Sequence, residues 1–438
     1  MKCNKLKNQG FFLLVLLFAC GCTGCSKTSD SVPILTDRLT PTVSVLPTEV
    51  MTTPTSEATN APTTTPTPKV PTPTTLPSPA VTLTPEPIVF PADINETTFP
   101  ELLLRKKAQA ADSNEDGLLS KEEASAVTKL SLKKLADTDA KDAMEDEPLP
   151  EYTTEDFTFD FEGIQYFTEL SELTVNLLGG EAFVAEGTEE ILVSTTHFNR
   201  IYECTKLKKL VLYETDISSL ELSPFINLKQ LELNHMYNLT SLNLGSHAKL
   251  SALWISECHK LETVDLSELN SLKTLDIVMN DEINEVIFGK ANEKLETIQL
   301  NGLKSLCEIN ISYLENLKSL NLMDVSLRSL DVTKNIALEQ LCAEGLHLAT
   351  LDLSTNPNIS YLINAKDSFT SILLPKDNCV SMIRWTNSVV TEFPIANLNP
   401  ETLTGIDIQG TAIKELDVRP YPNLVHLYYD ESITKILR

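Results

Sequence analysis

Leu228-Lys229-Gln230-Leu231-Glu232-Leu233 is followed by Leu250-Ser251-Ala252-Leu253-Trp254-Ile255 and then by Leu272-Lys273-Thr274-Leu275-Asp276-Ile277, and this stretch decides the fold. Each copy sets apolar residues at its first, fourth and sixth positions. The last two flank a single residue, which is the period of a strand with one buried face. Outward from here the pattern begins again at Leu207, Leu228, Leu250, Leu272, Leu295, Leu317, Leu338, Ile359, Val380, Leu403 and Leu424, at spacings of 21 to 23 residues. A divergent copy precedes them at Ile164, Phe167, Leu170, Leu173 and Val175. Within the repeats runs a second apolar stripe, as in Leu239-Leu242-Leu244, Leu261-Val264-Leu266, Leu327-Leu330-Val332 and Leu348-Leu351-Leu353. A unit this short cannot bury its apolar face alone, so the core must come from stacking one unit on the next. Stacked copies of the first stripe form a parallel sheet with strands about 4.8 Å apart.

The pattern resembles the leucine-rich repeat. That resemblance implies an α/β solenoid with a parallel β-sheet on its concave face and a mostly extended convex side. In that family the turn after the strand usually carries Asn or Cys. Cys258 and Asn280 match, whereas Met236, Leu303, Val325 and Leu346 depart. Leu330-Asp331-Val332 followed by Asn335, and Leu351-Asp352-Leu353 followed by Asn356, are similar to the short repeats of bacterial surface proteins. Residues 179–205 break the period and are read as an insertion.

The chain opens with Lys2, Lys5 and Lys7 and an apolar run from Phe11 to Ala19, which has the form of an export signal and is too short to span a bilayer. Leu17-Phe18-Ala19-Cys20-Gly21-Cys22 resembles the lipobox of bacterial lipoproteins. The resemblance implies a signal peptide over 1–19 and acylation of Cys20. Phe18 is bulkier than that family usually accepts, so Cys22 after Gly21 stays open as an alternative, with Cys25 behind it. An ordinary cleaved secretion signal is the plainer reading. Residues 20–91 are dominated by Thr and Pro, as in Ala61-Pro62-Thr63-Thr64-Thr65-Pro66-Thr67-Pro68, and read as an unfolded spacer.

Residues 92–136 change character. Thr98-Phe99-Pro100-Glu101 has the form of a capping box opening a helix through Leu102, Leu103 and Leu104 to Ala111. Next comes Asp112-Ser113-Asn114-Glu115-Asp116-Gly117-Leu118-Leu119-Ser120-Lys121-Glu122-Glu123, which matches an EF-hand loop. Asp112, Asn114 and Asp116 supply oxygens from alternate positions and Gly117 permits the sharp turn. Leu118 offers a backbone carbonyl, Ser120 acts directly or through water, and Glu123 can bind bidentately. One calcium site is expected. Ser120 and Glu123 also write a second capping box, for a helix from Lys121 to Leu135, so a polar helix-turn-helix binding nothing is the plainer alternative. An acidic connector over 137–163 then leads to the repeat domain at 164–438. The Phe-Pro helix, the single loop, the phrase Gly163-Ile164-Gln165-Tyr166-Phe167-Thr168-Glu169-Leu170 and the repeats together resemble a layout found in lipoproteins and wall proteins of anaerobic bacteria. Their repeats are taken to mediate adhesion or protein binding, although a fold does not fix a function.

Composition narrows the function further. The chain has 438 residues, 42% of them hydrophobic, and a net charge of −26, which repels nucleic acid and anionic membrane surfaces. Membrane contact is expected through the lipid alone, on the extracellular side. Cys204, Cys258, Cys307, Cys342 and Cys379 are scattered and read as mostly buried free thiols. There is no zinc-binding His-Glu-x-x-His, no Gly-x-Ser-x-Gly turn and no glycine-rich phosphate loop, and the six histidines occupy different repeat positions. Glu232 and Asp276 lie two repeats apart, about 9.6 Å, at the outer limit for an inverting glycosidase pair. No enzyme is expected.

The residue between the two apolar strand positions points outward from the sheet. In order these are Val211, Glu232, Trp254, Asp276, Gln299, Asn321, Cys342, Ile363, Arg384, Asp407 and Tyr428. Trp254 is the natural binding anchor, flanked by Tyr213, His235 and Met279, while Trp385 falls on an inward position. The candidate surface is therefore Tyr213, Glu232, His235, Trp254, Asp276 and Met279. A protein partner is the leading expectation and a carbohydrate the alternative. The plainest reading is a surface spacer on which Trp254 has no ligand.

Overall fold

The computed structural model describes residues 87–133, 158–177, 193–346, 348, 350–366, 371–393, 398–432 and 434–438. The export signal, Cys20, Cys22, Cys25, nearly all of the Thr/Pro spacer, most of the acidic connector and the first half of the 179–205 segment lie outside the described residues.

Each repeat contributes one strand to a single thirteen-stranded parallel sheet. We number its strands β1 (Lys129–Leu132), β2 (Glu172–Asn176), β3 (Lys209–Tyr213), β4 (Gln230–Asn234), β5 (Ala252–Ser256), β6 (Thr274–Val278), β7 (Thr297–Asn301), β8 (Ser319–Met323), β9 (Gln340–Glu344), β10 (Tyr361–Ala365), β11 (Met382–Thr386), β12 (Gly405–Asp407) and β13 (His426–Tyr428). Their order in the sheet is their order in the chain. The register follows the repeat: Leu231 pairs with Leu253, Leu253 with Leu275 and Leu275 with Ile298. Those side chains and their partners Leu233, Ile255, Ile277 and Leu300 are buried. The second stripe forms short parallel strand pairs, such as Ser219–Glu221 with Ser241–Asn243 and Thr263–Asp265 with Glu285–Ile287. The result is the expected solenoid, with its apolar core between a continuous concave sheet and an interrupted extended side.

Buried polar side chains tie one turn to the next. Asn280 donates from Nδ2 to the carbonyls of Ile255 at 3.1 Å and Val278 at 2.7 Å, and its Oδ1 accepts the Cys258 N–H at 2.7 Å. One turn earlier, Cys258 reproduces this with sulfur, donating toward the Leu233 and Ser256 carbonyls. On the extended side Asn292, Asn335 and Asn356 each hold two carbonyls of neighbouring turns. These bonds satisfy backbone groups that the tight turns leave unmet.

The N-terminal segment departs from expectation in three ways. The first helix, α1 (Leu102–Ala111), is capped by Glu101, whose carboxylate accepts the Leu103 N–H; Thr98 instead donates its N–H to Asn95. Phe99 is fully buried and Pro100 has no N–H to offer a cap, so the start shifts to Glu101. The second helix, α2 (Lys121–Ala126), carries the expected Ser120/Glu123 capping box but stops well before Leu135. Lys129-Leu130-Ser131-Leu132 alternates exposed and buried residues and becomes β1, so the sheet begins at Lys129 and not near residue 164. The end of the acidic connector is also core: Thr158–Asp160 is a strand, with Phe159 and Phe161 buried and packed edge-to-face at 4.8 Å.

Phe99 fastens the helical segment to the first turn, lying 5.5 Å from Tyr166 and 6.4 Å from Phe167. Gly163 makes this possible: its φ is +102°, and a β-carbon there would stand 2.4 Å from the Phe99 ring. Among the described residues no helix is long and apolar enough to cross a membrane. Two of the five repeat cysteines, Cys204 and Cys258, are buried thiols; Cys307 and Cys342 are half-buried thiols outside any disulfide, and Cys379 is disulfide-bonded.

Candidate functional site: the concave sheet and the N-terminal loop

The outward row reads as the repeat requires. Val211, Glu232, Trp254, Asp276, Gln299 and Asn321 are successive cross-strand neighbours, and the ladder continues through Cys342, Ile363, Arg384 and Asp407 to Tyr428. Two members are covered despite that register. Val211 is 4% exposed, and Asp407 is 4% exposed and accepts a hydrogen bond from Arg384 Nε at 3.1 Å. Trp385 is fully buried, as its inward position implies.

The six candidate residues form one patch on β3 to β6. Tyr213 donates its hydroxyl to Glu232 Oε1 at 2.6 Å, and Asn234 Nδ2 donates to the same oxygen at 3.1 Å. Burial, and then the Glu232 carboxylate, push the Tyr213 phenol upward. Trp254 is half-buried and has Glu232 on one neighbouring strand and Asp276 on the other. Asp276 has no such support. Its Oδ1 is buried without a hydrogen-bond partner, and burial pushes its carboxyl up to about 6.

His235 and Met279 belong to a second row, the residues that end the strands. One per turn adopts a left-handed conformation: Glu214, His235, Glu257, Met279, Gly302 and Asp324 have φ between +51° and +68°. His235 Nε2 lies 3.2 Å from Glu257 Oε2, and this contact holds the Glu257 carboxyl down. Met279 is 53% exposed. Sequence reasoning missed Glu257 and Asn301, and it placed Asn321 in the outward row without counting it among the six candidates. Asn301 lies at the fifth position of β7, on the face of Gln299, and a period-two reading carried one step further finds it.

The loop after α1 keeps the turn that its sequence predicts. Glu115 and Gly117 are left-handed, with φ +60° and +79°. Asp112 Oδ2 accepts the Gly117 N–H at 2.9 Å, and Asp116 Oδ1 that of Leu118 at 2.8 Å. Leu118–Leu119 pairs antiparallel with Ala92–Asp93. Glu123 is turned onto protein donors: Oε1 accepts from the N–H and hydroxyl of Ser113, Oε2 from those of Ser120. These contacts, those of Ser120 foremost, hold its carboxyl down to about 2. Asp112 Oδ1 is buried without a partner. Among the described residues, no three His, Cys, Asp or Glu side chains are gathered closely enough to hold a metal as they stand.

No protein-family model and no curated protein matches the sequence. Solved structures do match by shape. An internalin, InlF, of Listeria monocytogenes is similar with a TM-score of 0.55 at 17% identity, over 80% of this chain and 93% of that one. The functional domain of InlJ from the same organism, described as including a cysteine ladder, is similar with a TM-score of 0.52 at 18% identity, over 79% of this chain and 72% of that one. At such identities the likeness is one of fold, and it agrees with the leucine-rich-repeat solenoid described above.

Proposed function

We propose that this chain is a lipid-anchored, cell-surface recognition protein that binds a protein partner through its concave face and carries no catalytic centre. The observation that carries this reading is the patch itself, in which Tyr213, Glu232, Trp254 and Asp276 stand on four consecutive strands, with His235 and Met279 at the rim. A half-buried tryptophan among fixed polar groups is the composition of an interface centre. The internalin neighbours lend support, since they share a solenoid able to present such a sheet. The lipobox-like Leu17-Phe18-Ala19-Cys20 and the Thr/Pro spacer support display away from a membrane, with Cys20 or Cys22 acylated.

The test uses the full chain as bait against host extracellular proteins and glycans. Selective capture of a protein, lost in Trp254→Ala, is the expected result. Capture of glycans alone would favour the carbohydrate reading, and capture of nothing would leave a surface spacer. Labelling with radioactive palmitate in cells making the chain, lost in Cys20→Ala or in Cys22→Ala, tests the anchor and selects its cysteine.

The N-terminal loop is proposed as one calcium site, with Asp112, Asn114, Asp116, the Leu118 carbonyl, Ser120 and Glu123 as ligands. The donor set is all hard oxygen at EF-hand spacing, and the buried, unpartnered Asp112 Oδ1 is an oxygen awaiting a positive partner. Glu123 must then leave the Ser113 donors, which favours weak, steady binding over sensing. At millimolar calcium the expected stabilisation is about 1–2 kcal/mol, read as a rise in melting temperature over a chelator control. Glu123→Gln abolishes it. No calcium-dependent shift in the parent chain would leave the polar helix-turn-helix.

A further inference from the structure

The middle of the concave sheet has an asymmetry in its charges. Strands β4 to β9 carry no lysine or arginine, yet Trp254 stands between Glu232 and Asp276. Glu232 is held by Tyr213 and Asn234, whereas Asp276 is held by nothing. Beyond it, Asn301 and Asn321 also keep Oδ1 buried, and neither accepts a side-chain hydrogen bond there. Asn321 is in the row of Asp276 two strands on, and Asn301 lies diagonally between them.

A half-buried carboxylate with an unpartnered oxygen and no cation on its own or the neighbouring strands is complementary to a group that brings positive charge and donors, which among side chains means lysine or arginine. Sugar hydroxyls, which bring no charge to Asp276, fit less well. The adjoining Trp254 ring adds a cation–π surface and a place for the aliphatic stem. An amide can be turned end for end, so the asparagines alone would decide little; Asp276 cannot be reassigned in that way. Its carboxylate has already lost much of its water on folding, and a carboxylate in that state gains more from a cation than a solvated one does.

We propose that the sheet between Trp254 and Asn321 receives a lysine or arginine side chain of the protein partner, bound by Asp276 with Asn301 and Asn321 and laid against Trp254. This deepens the protein-binding reading and rests on it. The raised Asp276 carboxyl adds a condition: binding needs the ionised form, so it weakens as pH falls through about 6.

The probes are acetyl-Gly-Arg-Gly-amide and acetyl-Gly-Lys-Gly-amide, each with a neutral counterpart carrying citrulline or norleucine. Only two tryptophans exist and Trp385 is buried, so fluorescence of the full chain reports locally on Trp254. The expected result is a saturable fluorescence change with the cationic peptides at pH 7.5. It should weaken at least fivefold at pH 5 and at least tenfold in Asp276→Asn, an isosteric variant checked by its thermal melt. Asn321→Ala should weaken it by about threefold. Equal binding of the neutral peptides, unchanged binding by Asp276→Asn, displacement by calcium, or no saturable binding would overturn the proposal. If partner capture is lost in Trp254→Ala but survives Asp276→Asn, the cation site falls and the protein-binding reading stands. If the peptides bind as expected and no protein is captured, the reverse holds.

Discussion

Asn280 and Asp276 sit four residues apart in one turn of the solenoid, and their surroundings differ in kind. Asn280, in the turn, uses its whole amide: Oδ1 accepts the Cys258 N–H while Nδ2 serves the carbonyls of Ile255 and Val278. Asp276, on the sheet, is an acid whose buried Oδ1 has no partner and whose proton is held up to about 6. The turn is occupied with holding repeats together, and the sheet face keeps bonding capacity in reserve. The extended side sharpens the point. Asn335 and Asn356 also leave Oδ1 unmet, yet each spends both amide hydrogens on carbonyls of neighbouring turns. An unmet acceptor is therefore common in this molecule, and what sets Asp276 apart from these asparagines is that its unmet acceptor belongs to a carboxyl.

Removing Asn280 should break the comparison from the structural side and give the largest effect. Asn280→Ala strands one buried N–H and two carbonyls, at a cost of about 2–4 kcal/mol. A urea titration should show the midpoint fall with the slope unchanged. Asp276→Asn should do the opposite. A carboxyl at about 6 in the folded chain, against 3.8 as the ordinary value, binds its proton more tightly when folded, so ionisation opposes folding. That opposition is absent below pH about 4, grows through the interval and is complete above about 6. Asparagine removes it, so the variant should be more stable by about 1–3 kcal/mol at pH 7 and no different at pH 4. A stability gain joined to a binding loss would mark Asp276 as kept for recognition.

How much of this was legible in the sequence follows from the same contrast. The period of the leucines fixed the sheet, the core and the outward row, because burial on one face admits a single register. Cys258 and Asn280 were recognisable as turn residues through the resemblance to the leucine-rich repeat, whose turns usually carry these residue types. The early start of the sheet at Lys129 was hidden by Ser120 and Glu123, whose capping box announced a helix but could not say where it ends. The isolation of Asp276 was not legible either. It depends on which side chains stand across two neighbouring strands, and the row showed Glu232 and Asp276 as equals. The Tyr213 hydroxyl, arriving from the preceding strand, and the Asn234 amide separate them.

Cys258 offers a finer cut through the turn ladder. Its thiol stands where Asn280 stands one turn later, accepting the Met236 N–H as Asn280 accepts its own, with longer donor contacts of 3.5 and 3.9 Å. Burial pushes this thiol up to about 12, so alkylating reagents should leave it untouched in the folded protein at neutral pH. Cys258→Ala should cost about 1–2 kcal/mol, less than Asn280→Ala, because a thiol makes weaker hydrogen bonds than an amide. Denaturant midpoints of the two variants measured together check the order, and equal losses would mean that packing and not hydrogen bonding sets the value of this position.

The smallest expected effect lies where turn and face meet. Met279 is left-handed at φ +55°, and the equivalent residue one turn on is Gly302, at +68°, where a β-carbon would come within 3.4 Å of the Met279 Cα. A left-handed conformation costs an L-residue roughly 1 kcal/mol, while glycine gives part of that back through the freer unfolded chain. Met279 is also half in solvent, so little packing is lost with its side chain. Met279→Gly should therefore raise stability by about 0.5 kcal/mol, at the edge of what a denaturant titration resolves. If partner capture weakens in the same variant, the methionine is held in its strained conformation for what it touches outside the fold; if capture is unchanged, the binding patch ends at Asp276 and the strand-end row belongs to the scaffold.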